Sequence, residues 1–289
     1  MSIKHMLKPN AIAVIGATER KGSVGSALVQ NLINSKFAGD VFLINPKRDT
    51  VHGHKAFPSV SAVDENIDLA VICTPAPTVK GLIEECGKKG VKGVIIITAG
   101  FAEMGQEGKQ MMSEINTLRE QFDMRIIGPN CLGVISPDIG MNASFGKNMP
   151  PCGKIAMVSQ SGALGTAILD WAETNNVGLS SFISIGSMID VSFADLISYF
   201  NDDPDTDAIF MYVEGLHDAQ EFMANARGFC LNKPLFVIKS GRGKEGVKAV
   251  ASHTGSLAGA DDIYDAFFKS CGAVRVDTTQ EFFDCAEFI

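Results

Sequence analysis

The chain has 289 residues, 46% of them hydrophobic and 20% charged, so it can fill a sizeable core and is too apolar for disorder. Its 33 acidic against 25 basic residues leave a formal charge of -8, which removes any global attraction to nucleic acid, and no apolar run approaches the ~18 residues that a membrane span needs. Seven cysteines without CxxC spacing argue against a disulfide framework and a zinc site, so the expectation is a reduced, cytoplasmic, metal-free protein of about two domains.

In chain order, short β-branched runs alternate with amphipathic stretches, the pattern of βαβ units feeding a parallel sheet. Strands are expected at residues 11–17, 41–46, 69–74, 93–99 and 125–129, with helices at 23–35, 77–89 and 106–121. The segment GKNMPPCGK (146–154), with two prolines and two glycines, interrupts any periodicity. Beyond it, strands are expected at 154–160, 179–186, 208–215, 234–241 and 273–277, again separated by helices. The predicted fold is therefore α/β, two doubly wound domains in tandem at residues 1–147 and 148–289. The final segment TTQEFFDCAEFI reads as a helix with Phe282, Phe283, Ala286 and Ile289 on one face and no glycine cap, and the natural protein is expected to continue past Ile289.

After the first strand, Gly16-Ala-Thr-Glu-Arg-Lys-Gly22-Ser-Val-Gly25 forms a glycine-rich turn opening onto a helix, where backbone N–H groups can receive a phosphate. The spacing departs from GxGxxG, and the second strand ends in Asn45-Pro46-Lys47-Arg48 where an NAD site places an acid. Two cations suit a phosphorylated ribose, which leaves NADP and the 3'-phosphate of coenzyme A (CoA) both open. Thr74-Pro75-Ala76-Pro77 imposes a rigid turn at the third strand's carboxyl end. Loops at Thr98-Ala99-Gly100-Phe101 and Gly128-Pro129-Asn130-Cys131-Leu132-Gly133 follow the fourth and fifth.

The second half opens with Ser159-Gln160-Ser161-Gly162-Ala163, an anion nest at a helix start. Glu214 ends the strand AIFMYVEG, and a later small-residue loop, SHTGSLAG, holds His253, Thr254 and Gly255. An accessible imidazole whose other ring nitrogen is held by a carboxylate is the arrangement that nucleophilic catalysis needs.

These segments together, GATERKGSVG, INPKR, TPAP, GPNCLGVI, VSQSGALG, YVEG and SHTGSLAG in that order, resemble the nucleoside-diphosphate (NDP)-forming acyl-CoA synthetases, which include the α subunit of succinyl-CoA synthetase and the ADP-forming acetyl-CoA synthetases. The resemblance implies a Rossmann-like CoA-binding domain followed by a flavodoxin-like domain with a transiently phosphorylated histidine. It assigns that role to His253, its orientation to Glu214, and phosphate binding to Ser159, Ser161, Gly162, Ala163, Thr254 and Gly255. The CoA surface would comprise Gly16, Ala17, Thr18, Lys21, Gly22, Ser23, Val24, Gly25, Pro46, Lys47, Thr74, Pro75, Pro77, Thr98, Asn130 and Cys131, the last two near the thiol. The implied reaction converts acyl-CoA, NDP and phosphate into carboxylic acid, CoA and NTP. ATP or ADP with Mg2+ would be held by an ATP-grasp module that is not seen here, on a partner subunit or fused domain, in an oligomeric assembly. Two other readings share parts of the pattern: the CoA-sensing region of a Gcn5-related protein lysine acetyltransferase, in which the histidine is often lost, and an NADP-dependent oxidoreductase, which leaves SHTGSLAG unexplained.

Overall fold

The computed structural model describes residues 3–241 and 261–289. One sheet contains β1 (Ala11–Ile15), β2 (Asp40–Ile44), β3 (Thr50–Val51), β4 (His54–Phe57), β5 (Leu69–Ile72), β6 (Gly93–Ile96) and β7 (Arg125–Ile127), in the order β3-β4-β2-β1-β5-β6-β7. All its neighbours run parallel except the β3–β4 hairpin at one edge. Helices α1 (Lys4–Leu7), α2 (Val24–Asn34), α3 (Ala76–Lys89) and α4 (Gln106–Phe122) accompany it.

A second sheet contains β8 (Gly133–Ser136), β9 (Met141–Ser144), β10 (Cys152–Ser159), β11 (Leu179–Ser184), β12 (Ala208–Val213), β13 (Leu235–Lys239) and β14 (Val274–Val276), in the order β14-β13-β12-β10-β11-β8-β9. It is parallel from β14 to β11 and antiparallel through β8 and β9. Its helices are α5 (Gly162–Thr174), α6 (Phe193–Asp202), α7 (Ala219–Phe229), α8 (Asp261–Ser270) and α9 (Thr279–Glu287).

Strands covered on both faces are apolar throughout, and β1, β5 and β6 are buried at every position. Alternation of side chains then divides the core into three layers. Ile12 and Val14 of β1 join Ala156 and Val158 of β10, with Phe193 and Phe222, in one core shared by both sheets. Ala13 and Ile15 face the opposite way, to Val79 and Ile83 of α3 and Ile115 of α4. Ile155 and Met157 lie with Ile168 and Leu169 of α5 and Phe282 of α9. Of the apolar face expected on the last helix, Phe282 and Ala286 are buried and Phe283 stacks on Trp171 at 4.2 Å, whereas Ile289 is exposed. Among the described residues no helix is long and apolar enough to cross a membrane.

The ten expected strands are all present, trimmed at their carboxyl ends, and some of the residues beyond them, such as Thr74, Thr98, Gln160 and Gly186, line the cleft described below. The division of the chain at 147/148 does not coincide with the division of strands between sheets, because β8 and β9 precede residue 148 and pair with β11. Their four-residue lengths, total burial and small polar residues (Met-Asn-Ala-Ser in β9) erase the alternation by which a hairpin is read.

Candidate functional site

Ligands of open parallel sheets bind beyond the carboxyl ends of the strands, where strand order reverses. In the first sheet that point is β1, flanked by β2 and β5; in the second it is β10, flanked by β12 and β11. Both phosphate-type turns expected from sequence follow these two strands.

The turn after β1 depends on two glycines. Gly16 has φ +98, and a Cβ there would lie 2.9 Å from Thr74 Cγ2; a Cβ on Gly25, in the first turn of α2, would lie 2.3 Å from the Gly16 carbonyl oxygen. The helix start is thus pressed against the turn. Ser23 caps it, its hydroxyl accepting from Ser26 N–H at 3.3 Å, while Asn45 Nδ2 donates to the Ala17 carbonyl at 2.8 Å. After β10, Ser161 caps α5 and accepts from Leu164 N–H at 3.3 Å. The Gln160 side-chain oxygen accepts from the N–H groups of Glu214 (2.6 Å) and Gly215 (3.0 Å), tying the end of β12 to this turn.

The two turns face one cleft of about 650 Å³ between the sheets. A backbone zipper that reaches the cleft at Ser187 joins β7 and the loop after it to the segment after β11: Val191 N–H donates to Ile126 O (3.1 Å), Ile189 N–H to Gly128 O (3.1 Å) and Ser187 N–H to Pro129 O (2.9 Å). Leu132 N–H extends it to Ser184 Oγ at 2.9 Å. Asp190 closes the far end, accepting from Arg125 Nε at 2.9 Å and Ile126 N–H at 2.7 Å, while Arg125 Nη2 reaches Asp195 at 2.7 Å.

Of the residues expected at the site, Val24, Thr74, Pro75, Thr98, Asn130 and Cys131 line the cleft from the first sheet, and Ser161, Gly162 and Ala163 from the second. Gly16, Thr18, Ser23 and Gly25 line an adjoining pocket of about 380 Å³ that shares Val24, Thr74 and Pro75. Two residues are not presented to a ligand. Ala17 is fully buried, and so is Ser159, whose hydroxyl accepts from Ser161 N–H (3.2 Å) and donates to Ser161 O (2.8 Å), bracing the turn from within. Lys21, Gly22, Pro46, Lys47 and Pro77 are exposed and line neither cavity. The expected pair of cations after β2 is split, because Arg48 is engaged by Glu19 at 2.7 Å. Glu214 is buried at the end of β12. His253, Thr254 and Gly255 lie outside the described residues.

Several lining residues carried no signal of their own. Arg20 borders both cavities from inside the glycine-rich turn, and Gln160 and Thr166 come with the second turn. Leu132, Phe145, Gly186 and Ser187 arrive from loops that are neighbours only in space. Burial pushes the thiols of Cys73 and Cys131 up to about 12. Each donates to a strand carbonyl, of Ile15 at 3.2 Å and Ile96 at 3.3 Å, so both are wall material and not nucleophiles at neutral pH. Lys239, at the end of β13 beside Glu214's strand, is held below its ordinary range by burial, its ammonium 4.6 Å from the centre of the Tyr264 ring.

Comparison with known proteins gives this arrangement a family. Residues 10–137 match the family model of a CoA binding domain, and residues 152–289 that of a succinyl-CoA ligase like flavodoxin domain. The chain is 45% identical over 282 residues to acetate–CoA ligase (ADP-forming) of Methanocaldococcus jannaschii, a match covering 98% of this chain and 39% of that protein. It is 42% identical over 290 residues to acetate–CoA ligase (ADP-forming) I subunit alpha of Pyrococcus furiosus, covering 99% of this chain and 63% of that one. The chain belongs to the NDP-forming acyl-CoA synthetase family. A solved structure within that family, the dinucleotide forming acetyl-coenzyme A synthetase 1 of Ca. Korarchaeum cryptofilum in complex with phosphate and ADP, superposes with a TM-score of 0.94 at 38% identity, covering 99% of this chain and 62% of that one. The chain thus spans about two fifths of the M. jannaschii synthetase and about three fifths of the P. furiosus α subunit. The two family models meet near the strands that cross from one sheet's half of the sequence to the other's sheet.

Proposed function

We propose that this chain is the CoA-binding and phosphohistidine-bearing part of an ADP-forming acyl-CoA synthetase, with the nucleotide site on an ATP-grasp subunit or fused domain. The observation that carries the reading is the convergence of two capped helix N-termini, one from each sheet's point of strand reversal, on a single cleft. CoA fits this arrangement. Its anionic phosphates suit the N–H groups and positive dipole end of α2, which Gly16 and Gly25 allow to approach closely. Arg20, the one charged residue among those described along the cleft, adds a cation there. The thiol end then extends toward Asn130 and Cys131.

Inorganic phosphate at the start of α5 attacks the thioester carbonyl; the C–S bond breaks, CoA departs as a thiolate that takes up a proton, and an acyl phosphate forms. The N–H groups beginning at Gly162 offset charge on the phosphate oxygens. His253 then takes the phosphoryl group, leaving the carboxylate, and passes it to ADP. Glu214, tied to the α5 turn through Gln160, is the carboxylate that orients the imidazole. Mg2+ accompanies the nucleotide on the ATP-grasp side. The test is intact-mass and peptide spectrometry under non-acidic conditions after mixing with the ATP-grasp part, ATP and Mg2+. One phosphoryl mass on the His253 peptide, discharged by ADP, supports the mechanism; its absence while CoA still binds reduces the chain to a CoA sensor.

A further inference from the structure

Among the described residues, Phe145 is the aromatic side chain that stands exposed on the cleft wall, at 38% of its surface. Water contact of a large apolar ring inside a cavity is unfavourable, so its fixed presentation calls for a use. The backbone that carries it is pinned on both sides. Asn31 Nδ2, on α2, donates to the carbonyls on both sides of it, Ser144 O at 2.8 Å and Gly146 O at 2.7 Å. Its own N–H donates to Leu132 O at 3.3 Å. A buried polar frame backs this up: Ser144 Oγ donates to Asn142 Oδ1 at 2.7 Å and accepts from Gly146 N–H at 3.1 Å.

The ring's place in the cleft indicates what meets it. Phe145 is bonded to Leu132, which packs on the start of α5: a Cβ on Gly165 would lie 3.5 Å from Leu132 Cδ2, and one on Gly162 would lie 3.9 Å from Leu132 Cβ. It does not border the pocket of the Gly16 turn. The ring therefore lines the cleft on the side of Leu132 and the start of α5, where phosphate is proposed to bind, and not the pocket of the Gly16 turn. We infer that Phe145 is a specificity-determining residue whose ring limits the size of the acyl group admitted to the cleft, with Asn31 as its support. This rests on the function proposed above.

The test uses the full protein with its ATP-grasp part and three acids: acetate, butyrate and phenylacetate. Phe145→Ala is expected to raise kcat/KM for phenylacetate relative to acetate on the order of tenfold or more, the scale on which apolar pockets discriminate size. Phe145→Trp is expected to move the ratio the other way, a reversal that damage to folding cannot mimic. Asn31→Ala should shift it in the direction of Phe145→Ala, by less. The KM for CoA should stay unchanged in all three. Unaltered acid ratios, or a CoA KM that moves as much as the acid KM, would overturn the assignment. If the unaltered protein forms no acyl-CoA from any acid, the synthetase reading itself falls and takes this inference with it.

Discussion

The function proposed above gives His253 and Glu214 the chemistry and leaves CoA binding to other residues. On the proposed mechanism, His253→Ala abolishes phosphoryl labelling and leaves CoA affinity intact by calorimetry; loss of both together would contradict two separate sites. Glu214→Gln is expected to slow labelling on the order of ten- to a hundredfold, as loss of an orienting partner does, without changing CoA binding. The buried thiols make a prediction about pH. Burial pushes Cys73, Cys86 and Cys131 up to about 12, whereas an unfolded thiol titrates near about 8.5. Above that value the unfolded chain releases protons that the folded one retains, so stability falls as pH rises through the window between the two. Denaturant midpoints at pH 8 and pH 10.5 would reveal the decline, and Cys131→Ser should lessen it. At this scale the sequence was informative where chemistry is local: the glycine-rich turn and the Ser159–Ala163 turn do open onto helices, which Ser23 and Ser161 cap. Ser159 looked identical in kind, and only the folded turn shows that its hydroxyl is spent on Ser161.

Parallel strands were legible because burial on both faces demands unbroken apolar runs, as in β1 and β6. The hairpins β3–β4 and β8–β9 were not, since strands of two to four residues show no period. The same contrast separates two glycines. Gly25→Ala places a Cβ 2.3 Å from the rigid Gly16 carbonyl, so α2 must withdraw from the turn; a loss of about 1–3 kcal/mol and weaker CoA binding are expected together. Gly81→Ala, inside α3 with open space around it, should raise the melting temperature, because helix propensity gains about 1 kcal/mol. Calorimetric scans of the two variants check both signs. Equal effects would mean that close approach at Gly25 does not matter.

Across the whole molecule, the zipper from Ile126 to Leu132 and its Asp190 lock hold the two sheets at the separation that defines the cleft. Asp190→Ala removes a carboxylate that accepts from Arg125 and from Ile126 N–H. With Asp195 still on Arg125, the expected cost is about 1–3 kcal/mol, read as a lower unfolding midpoint. That lock joins residues 65 apart in sequence, which is why no local pattern announced it. The crossing strands carry a different consequence. β11, Leu-Ser-Ser-Phe-Ile-Ser, is buried at all six positions, and its outer edge is covered by β8, donated from before the proline-rich segment. A fragment cut at residue 148 would leave that edge without a partner: a bare ribbon of unpaired amides, open to pairing with copies of itself. The hairpin that links the two halves thus also shields the second half's strand edge, and a fragment without it is expected to self-associate.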